Sequence, residues 1–174
     1  MKQHVDIFDY SGHLCKALKK GILLTSKSGN ALNTMTIGWG TIGIQWNKPI
    51  FIAYVRESRF TKQLLEENGE FTINIPHGDF DSNILRHCGR TYGRDTDKFT
   101  DLGLTTEEPE CISVPGIREL PLTLECKVIY KQKQDLAAID PEHIARFYPV
   151  EGDDGYQDYH IAYYGEIVSA YLIR

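Results

Sequence analysis

From Gly21 to Ser28 the chain is apolar and rich in β-formers, Leu32 to Gln45 is dense in Thr, Ile, Gly and Trp, and Pro49 introduces the run Ile50-Phe51-Ile52-Ala53-Tyr54-Val55. Short runs of β-branched and aromatic residues between turn residues predict successive strands. The period then changes to that of a helix in Thr61-Lys62-Gln63-Leu64-Leu65-Glu66-Glu67-Asn68, which Asn68-Gly69 ends, and Phe71–Ile75 is a further strand stopped by Pro76. Apolar residues at helical spacing between Asp79 and Cys88 predict a short helix that stops at Gly89. A second short helix begins at Asp95, with Asp95 or Thr96 as N-cap and Phe99 and Leu102 facing inward. In the last third, Leu122 to Lys131 alternates as a half-buried strand and Tyr159 to Ile173 resembles it. Between them Asp140-Pro141 opens a helix of one or two turns ending at Tyr148. Many strands with few short helices predict a mainly β fold, an antiparallel barrel rather than a doubly wound sheet. No Gly-x-Gly-x-x-Gly follows a strand, so a Rossmann site has no support.

Composition narrows the partners. The 174 residues carry no internal repeat or linker and read as one domain over 1–174. With 24 acidic against 19 basic residues the formal charge is -5, which opposes attraction to phosphate backbones and argues against nucleic acid. No apolar stretch is long enough to span a bilayer. Met1 to Ile7 lacks the pattern of a secretory signal, and Cys15, Cys88, Cys111 and Cys126 are too widely spaced for a zinc motif, so reduced thiols and a cytoplasmic location are expected. Asp153, Asp154 and Asp158 near His160 form no repeated ligand pattern, so no metal site is expected.

Two segments carry chemistry. Asn33-Thr34-Met35-Thr36-Ile37-Gly38-Trp39-Gly40 combines β-branched residues, an aromatic and glycines, so backbone N–H groups can approach a flat ligand. Val55-Arg56-Glu57-Ser58-Arg59-Phe60-Thr61 sets two arginines and two hydroxyls before the predicted helix, where guanidinium, hydroxyl and helix N-terminal donors can meet one anion. Each segment also has a plainer reading. Thr34, Thr36 and Ile37 suit any strand and Trp39 any core, whereas Ser58 or Thr61 can serve as an N-cap and the arginines as solvated surface. One ligand with an aromatic end and a phosphate end accounts for both segments.

Five groups of residues follow in order: Asn33-x-Met35-Thr36-x-x-Trp39; Val55-Arg56-x-Ser58-Arg59-x-Thr61; Glu70-Phe71-x-Ile73-Asn74; Cys88-Gly89-x-x-x-Gly93-Arg94-Asp95-x-Asp97-Lys98-Phe99; and Tyr159-His160-x-x-Tyr163-x-Gly165-Glu166-Ile167. From Gly21 onward this series resembles the flavin reductase-like proteins with an FMN-binding split barrel, and among them the flavoredoxin group. The resemblance implies an antiparallel split barrel of about six strands, a homodimer, and FMN held near the subunit interface. It implies that Asn33, Thr34, Met35, Thr36 and Trp39 lie along the isoalloxazine ring, with Arg56, Ser58, Arg59 and Thr61 at the phosphate. Cys88, Gly89, Gly93, Arg94 and Lys98 would complete the pocket. Where the related proteins often carry Ser before the second glycine, Tyr92 stands here, setting an aromatic ring beside the cofactor against a hydroxyl contact. Lys98 also reads as a solvated residue of an Asp-capped helix, and Cys88 as packing, since no resolving cysteine is near. His160 reads first as a hydrogen-bonded structural histidine and second as a donor to a flavin oxygen or to substrate.

The expected function is that of an FMN-dependent oxidoreductase. NADH or NADPH would give hydride to flavin N5, and the electrons would pass to a small-molecule or protein acceptor. Geometry suffices for hydride transfer between ring systems, so no catalytic triad is needed and no catalytic residue is assigned. The alternatives are a flavoredoxin-like electron carrier without its own fast NAD(P)H reaction, and a split-barrel binding module without flavin.

Overall fold

A computed structural model describes residues 1–153 and 155–174; Asp154 lies outside the described residues. In chain order the elements are β1 (Lys2–His4), α1 (Ser11–Leu18), β2 (Ile22–Ser28), β3 (Ala31–Ile37), β4 (Gly40–Gln45), β5 (Lys48–Arg56), α2 (Phe60–Glu67), β6 (Glu70–Ile75), α3 (Asn83–Arg90), α4 (Lys98–Leu102), β7 (Thr106–Glu107), β8 (Gly116–Ile117), β9 (Leu122–Lys133), α5 (Pro141–Phe147) and β10 (His160–Ile173).

Seven strands run in the order β3-β2-β6-β9-β10-β5-β4, every pair antiparallel, and β1 adds to β10. The two ends of that path, β3 and β4, are joined in the chain by Gly38 and Trp39 alone. A sheet whose outermost strands are separated by two residues must curl until its edges nearly meet. The fold is therefore a barrel with a seam, and the seam lies at Gly38-Trp39. The appended β1 and the division of the Leu32–Gln45 run into two strands bring the sheet to eight strands rather than about six.

Inside the barrel Leu24, Ile37, Phe51, Val55, Phe71, Ile73, Leu124 and Tyr163 make one buried core. A second cluster, Leu23, Ile84, Leu85, Cys88, Ile117 and Leu120, is sealed by α3. Strand β2 is buried on both faces, Leu24 toward the first cluster and Leu23 toward the second, which is why its sequence is a continuous apolar run instead of an alternation. The β4–β5 hairpin turns through Trp46 and Asn47 with φ of 50° and 59°, the two left-handed residues of a type I′ turn.

Several boundaries differ from the sequence expectations. The helix after Asp95 is capped by neither Asp95 nor Thr96 but by Asp97, whose carboxylate accepts from the backbone of Phe99 and Thr100. Helix α3 starts at Asn83, and Gly89 lies inside it instead of stopping it. Neither Ser58 nor Thr61 caps α2: Arg59 holds that position with no side-chain cap bond. Trp39 is no core residue, being 41% exposed at the seam. Helix α1 and the small β7–β8 sheet were not foreseen.

Candidate functional site

At the seam a cleft of about 220 Å³ is walled by β3 from Met35 onward, Trp39, Tyr54, Arg56, Arg59 and His160. Tyr54 and Arg56 share a face of β5 by strand alternation, and His160 stands opposite Arg56 in the β5–β10 register. Behind the cleft is a narrow pocket of about 40 Å³ that shares Met35, Thr36 and Arg59 with it. Asn33, Thr61, Cys88, Gly89, Gly93 and Lys98 close this inner pocket.

Lys98 is 3% exposed, and its Nζ donates to Thr34 O at 2.8 Å and Cys88 O at 3.1 Å. Among the described residues no carboxylate pairs with it; burial pulls its ammonium below the ordinary lysine value, Cys88 opposes this, and the Arg59 guanidinium adds to it. Such a group is short of negative charge. Strand β3 ends the path of the sheet, so alternate backbone groups along it face no further strand, and Lys98 bonds one carbonyl of that strand. The Thr34 side chain is not in the pocket, because its hydroxyl bonds Leu24 O and accepts from Thr25. Asn33 is buried with its amide donating to Thr61 Oγ1 at 2.8 Å, and Thr36 Oγ1 donates to Leu85 O. Burial pushes the Cys88 thiol up to about 11, which makes it a packing group under the pocket.

His160 is buried, with Nδ1 2.8 Å from the Tyr148 hydroxyl and its ring 4.9 Å from Trp39. Burial and then Arg56 hold its imidazole down at about 4, so it presents an uncharged polar edge to the cleft near neutral pH. It is thus both hydrogen-bonded in the structure and part of the wall. Arg56 ties the chain that follows α5 to the barrel, donating to Asp158 O at 2.5 Å and Phe147 O at 3.0 Å.

Two of the expected residues lie apart. Ser58 is exposed, and its hydroxyl donates to the Asp158 carboxylate outside both the cleft and the inner pocket. Arg94 donates to Gln63 and rests over the Phe60 ring, lining none of the described cavities. Both are drawn away by a nearby acceptor that their spacing does not reveal. Tyr92 is 64% exposed with Arg59 over its ring, at the mouth of the inner pocket. Tyr54 and Tyr148 belong to the site without having been expected. The period of β5 could have pointed to Tyr54, whereas nothing in its spacing links Tyr148 to His160. Among the described residues no group of three or more His, Cys, Asp or Glu could hold a metal.

A family model for the flavin reductase-like domain matches residues 19–174. An uncharacterised protein of Archaeoglobus fulgidus is 29% identical over 97 residues, 56% of this chain and 54% of that protein. Protein YddH of Escherichia coli is 30% identical over 122 residues, 67% of this chain and 64% of its own length. The matches thus span between half and two thirds of these relatives. Among solved structures, flavoredoxin of Desulfovibrio vulgaris superposes with a TM-score of 0.66 at 22% identity, over 88% of this chain and 69% of that one. The NADH:FAD oxidoreductase SgcE6 of Streptomyces globisporus does so with 0.61 at 18%, over 98% and 87%. At these identities the structures establish the antiparallel split barrel, and the match over residues 19–174 establishes kinship: the chain belongs to the flavin reductase-like family.

Proposed function

We propose that the protein is an FMN-binding oxidoreductase that takes electrons from NADH or NADPH and delivers them to a small-molecule or protein acceptor. The observation that carries this is the inner pocket. A buried lysine without a carboxylate partner, beside Arg59, Thr61 and Asn33, sits at the end of a cleft edged by the free backbone of β3. That donor set fits a ligand with a phosphate at one end and a flat ring at the other. Bound there, FMN would supply hydride and single-electron chemistry. Lys98 and Arg59 hold the anion, the backbone of Thr34 to Thr36 and the face of Trp39 orient the ring, and Tyr54 and the neutral His160 line the approach. No residue need move a proton, in keeping with the absence of a carboxylate from the cleft wall.

The test is FMN uptake, read from flavin absorbance after excess cofactor is removed, followed by anaerobic addition of NADH or NADPH. Rapid loss of flavin colour is expected. Failure to retain FMN would refute the reading, and bleaching only through an added reductase would make the protein a carrier.

The proposal extends to a homodimer formed through the outer side of β4, β5 and β9, where Ile44, Trp46 and Tyr130 are 69%, 61% and 41% exposed. Light scattering should give twice the chain mass, and monomer at micromolar concentration would count against it. A cytoplasmic location completes the proposal. It is supported by four free cysteines and by no described helix being long and apolar enough to cross a membrane.

A further inference from the structure

One face of α1 borders a hollow that shares no lining residue with the cleft or the inner pocket. It measures about 260 Å³ and lies between α1, the segment that follows β6, and α3. His13, Lys16, Ala17 and Lys20 line it from one side, and their helical spacing sets them on a single face of α1 and the turn that ends it. Pro76, Phe80 and Leu85 supply an apolar wall, Pro76 and Leu85 buried and Phe80 half-buried. The wall is pinned to the helix, because the His13 Nε2–H donates to Pro76 O at 2.7 Å and the His77 ring meets those of His13 and Tyr10 edge-on. The ammonium groups of Lys16 and Lys20 have no carboxylate or hydrogen-bond partner among the described residues. No carboxylate lines the hollow. Of the two in the segment after β6, Asp79 is exposed and Asp81 accepts from the backbone of Asn83 at the start of α3.

An apolar hollow with two ammonium groups at its rim suits an anion that carries an apolar body. Its volume is close to the 220 Å³ of the cleft, so one or two fused rings fit. The helix sets the charge of the anion. Helix α1 ends at Leu18, beside the hollow, and the negative end of its dipole opposes a doubly charged group more than a singly charged one. Lysines also lack the planar fork with which arginine grips a phosphate. We propose that the hollow binds a small aromatic carboxylate, with Lys16 and Lys20 at the carboxylate and Pro76, Phe80 and Leu85 against the ring. The proposal stands without the flavin reading, since none of these residues belongs to the cleft or the inner pocket.

Titration of isotope-labelled protein with naphthoate, with and without added FMN, should shift the amide signals of residues 13–21 and 76–85 and leave those of 35–39 in place. Naphthol and naphthyl phosphate should bind more weakly. The double variant Lys16→Glu, Lys20→Glu should lose ~10-fold or more in naphthoate affinity, because the charge-assisted contacts become repulsive. Both lysines are exposed, so the fold is kept, and circular dichroism of the variant should match the parent. Ala17→Leu fills the hollow without changing its charge and should weaken naphthoate as well. Absence of naphthoate binding at millimolar concentration, shifts confined to the cleft, displacement of naphthoate by FMN, or unchanged affinity in the lysine variant would overturn the proposal. Naphthol binding as tightly as naphthoate would overturn the role of the lysines, and tighter binding of naphthyl phosphate the choice of a carboxylate.

Discussion

Gly93→Ala tests the inner pocket from its most crowded point. A Cβ built on Gly93 would stand 2.1 Å from Asn33 Oδ1, 2.6 Å from Cγ and 2.9 Å from Nδ2. The amide therefore has to swing away, and it is buried and donates to Thr61 Oγ1. Losing that bond costs about 1 kcal/mol, and leaving a buried amide unpaired costs about 1–3 kcal/mol more. The reduced freedom of the unfolded alanine chain returns about 0.4–1 kcal/mol. A net loss of about 1–3 kcal/mol remains. With an m-value of about 2 kcal/mol/M, the urea midpoint should fall by about 0.5–1.5 M. Unfolding followed by circular dichroism measures it, and flavin titration of the same samples should show weakened FMN binding. Gly89→Ala is the control. Its Cβ would meet Thr36 at an ordinary 3.4 Å, and it lies within α3, where alanine gains about 0.5–1 kcal/mol over glycine. A decisive check is the double variant with Asn33→Ala, in which Gly93→Ala should become nearly harmless. Additive losses in the double variant, or an unchanged midpoint for Gly93→Ala, would refute the steric argument.

Three further outcomes follow from the site. Lys98→Met should lower FMN affinity by ~10-fold or more while changing riboflavin affinity little, since in the proposed binding mode only the phosphate would meet the ammonium; equal losses for both ligands in a fluorescence titration would remove Lys98 from the proposed phosphate site. His160 is held neutral down to about 4 in the folded protein against an ordinary value of 6.5. The unfolded chain therefore binds the extra proton between those values, so stability is full above pH 6.5 and falls as the pH drops toward 4. His160→Gln should flatten that limb of a plot of urea midpoint against pH, and an unchanged slope would show that other groups carry it. Arg56→Lys cannot serve both Phe147 O and Asp158 O with the same fork, so amide exchange across 141–159 should quicken while β5 and β10 stay protected. Protection unchanged across that segment would mean that the Tyr148–His160 contact suffices to hold it.

The strands were legible because β-branched runs between turn residues have few other uses, and Arg59 and Thr61, singled out together for their donors, line one inner pocket. Lys98 was harder. Its partners are backbone carbonyls, which leave no mark in the sequence, so a buried cation and a solvated one look alike. The same fact decides the cap of α4. Asp95, Thr96 and Asp97 are all competent, and the helix starts where Lys98 can turn inward, which leaves Asp97 at the cap. Helix α1 offers only a weak signal, with Leu14 and Leu18 as its buried residues. The Tyr148–His160 pairing depends on how the chain returns from α5 to β10, a tertiary matter on which local pattern is silent.

The covalent link across the seam also bears on how this protein survives crowding. An edge strand with free backbone groups is a template on which another chain can add a strand. Here both edges, β3 and β4, come to one seam because Gly38 and Trp39 join them, and the cleft opens on the β3 side of it. Lys98 already occupies Thr34 O on that edge, an inward charge that no incoming strand can match. A ligand lying along β3 would cover what remains, so cofactor supply and resistance to aggregation become a single property of the seam.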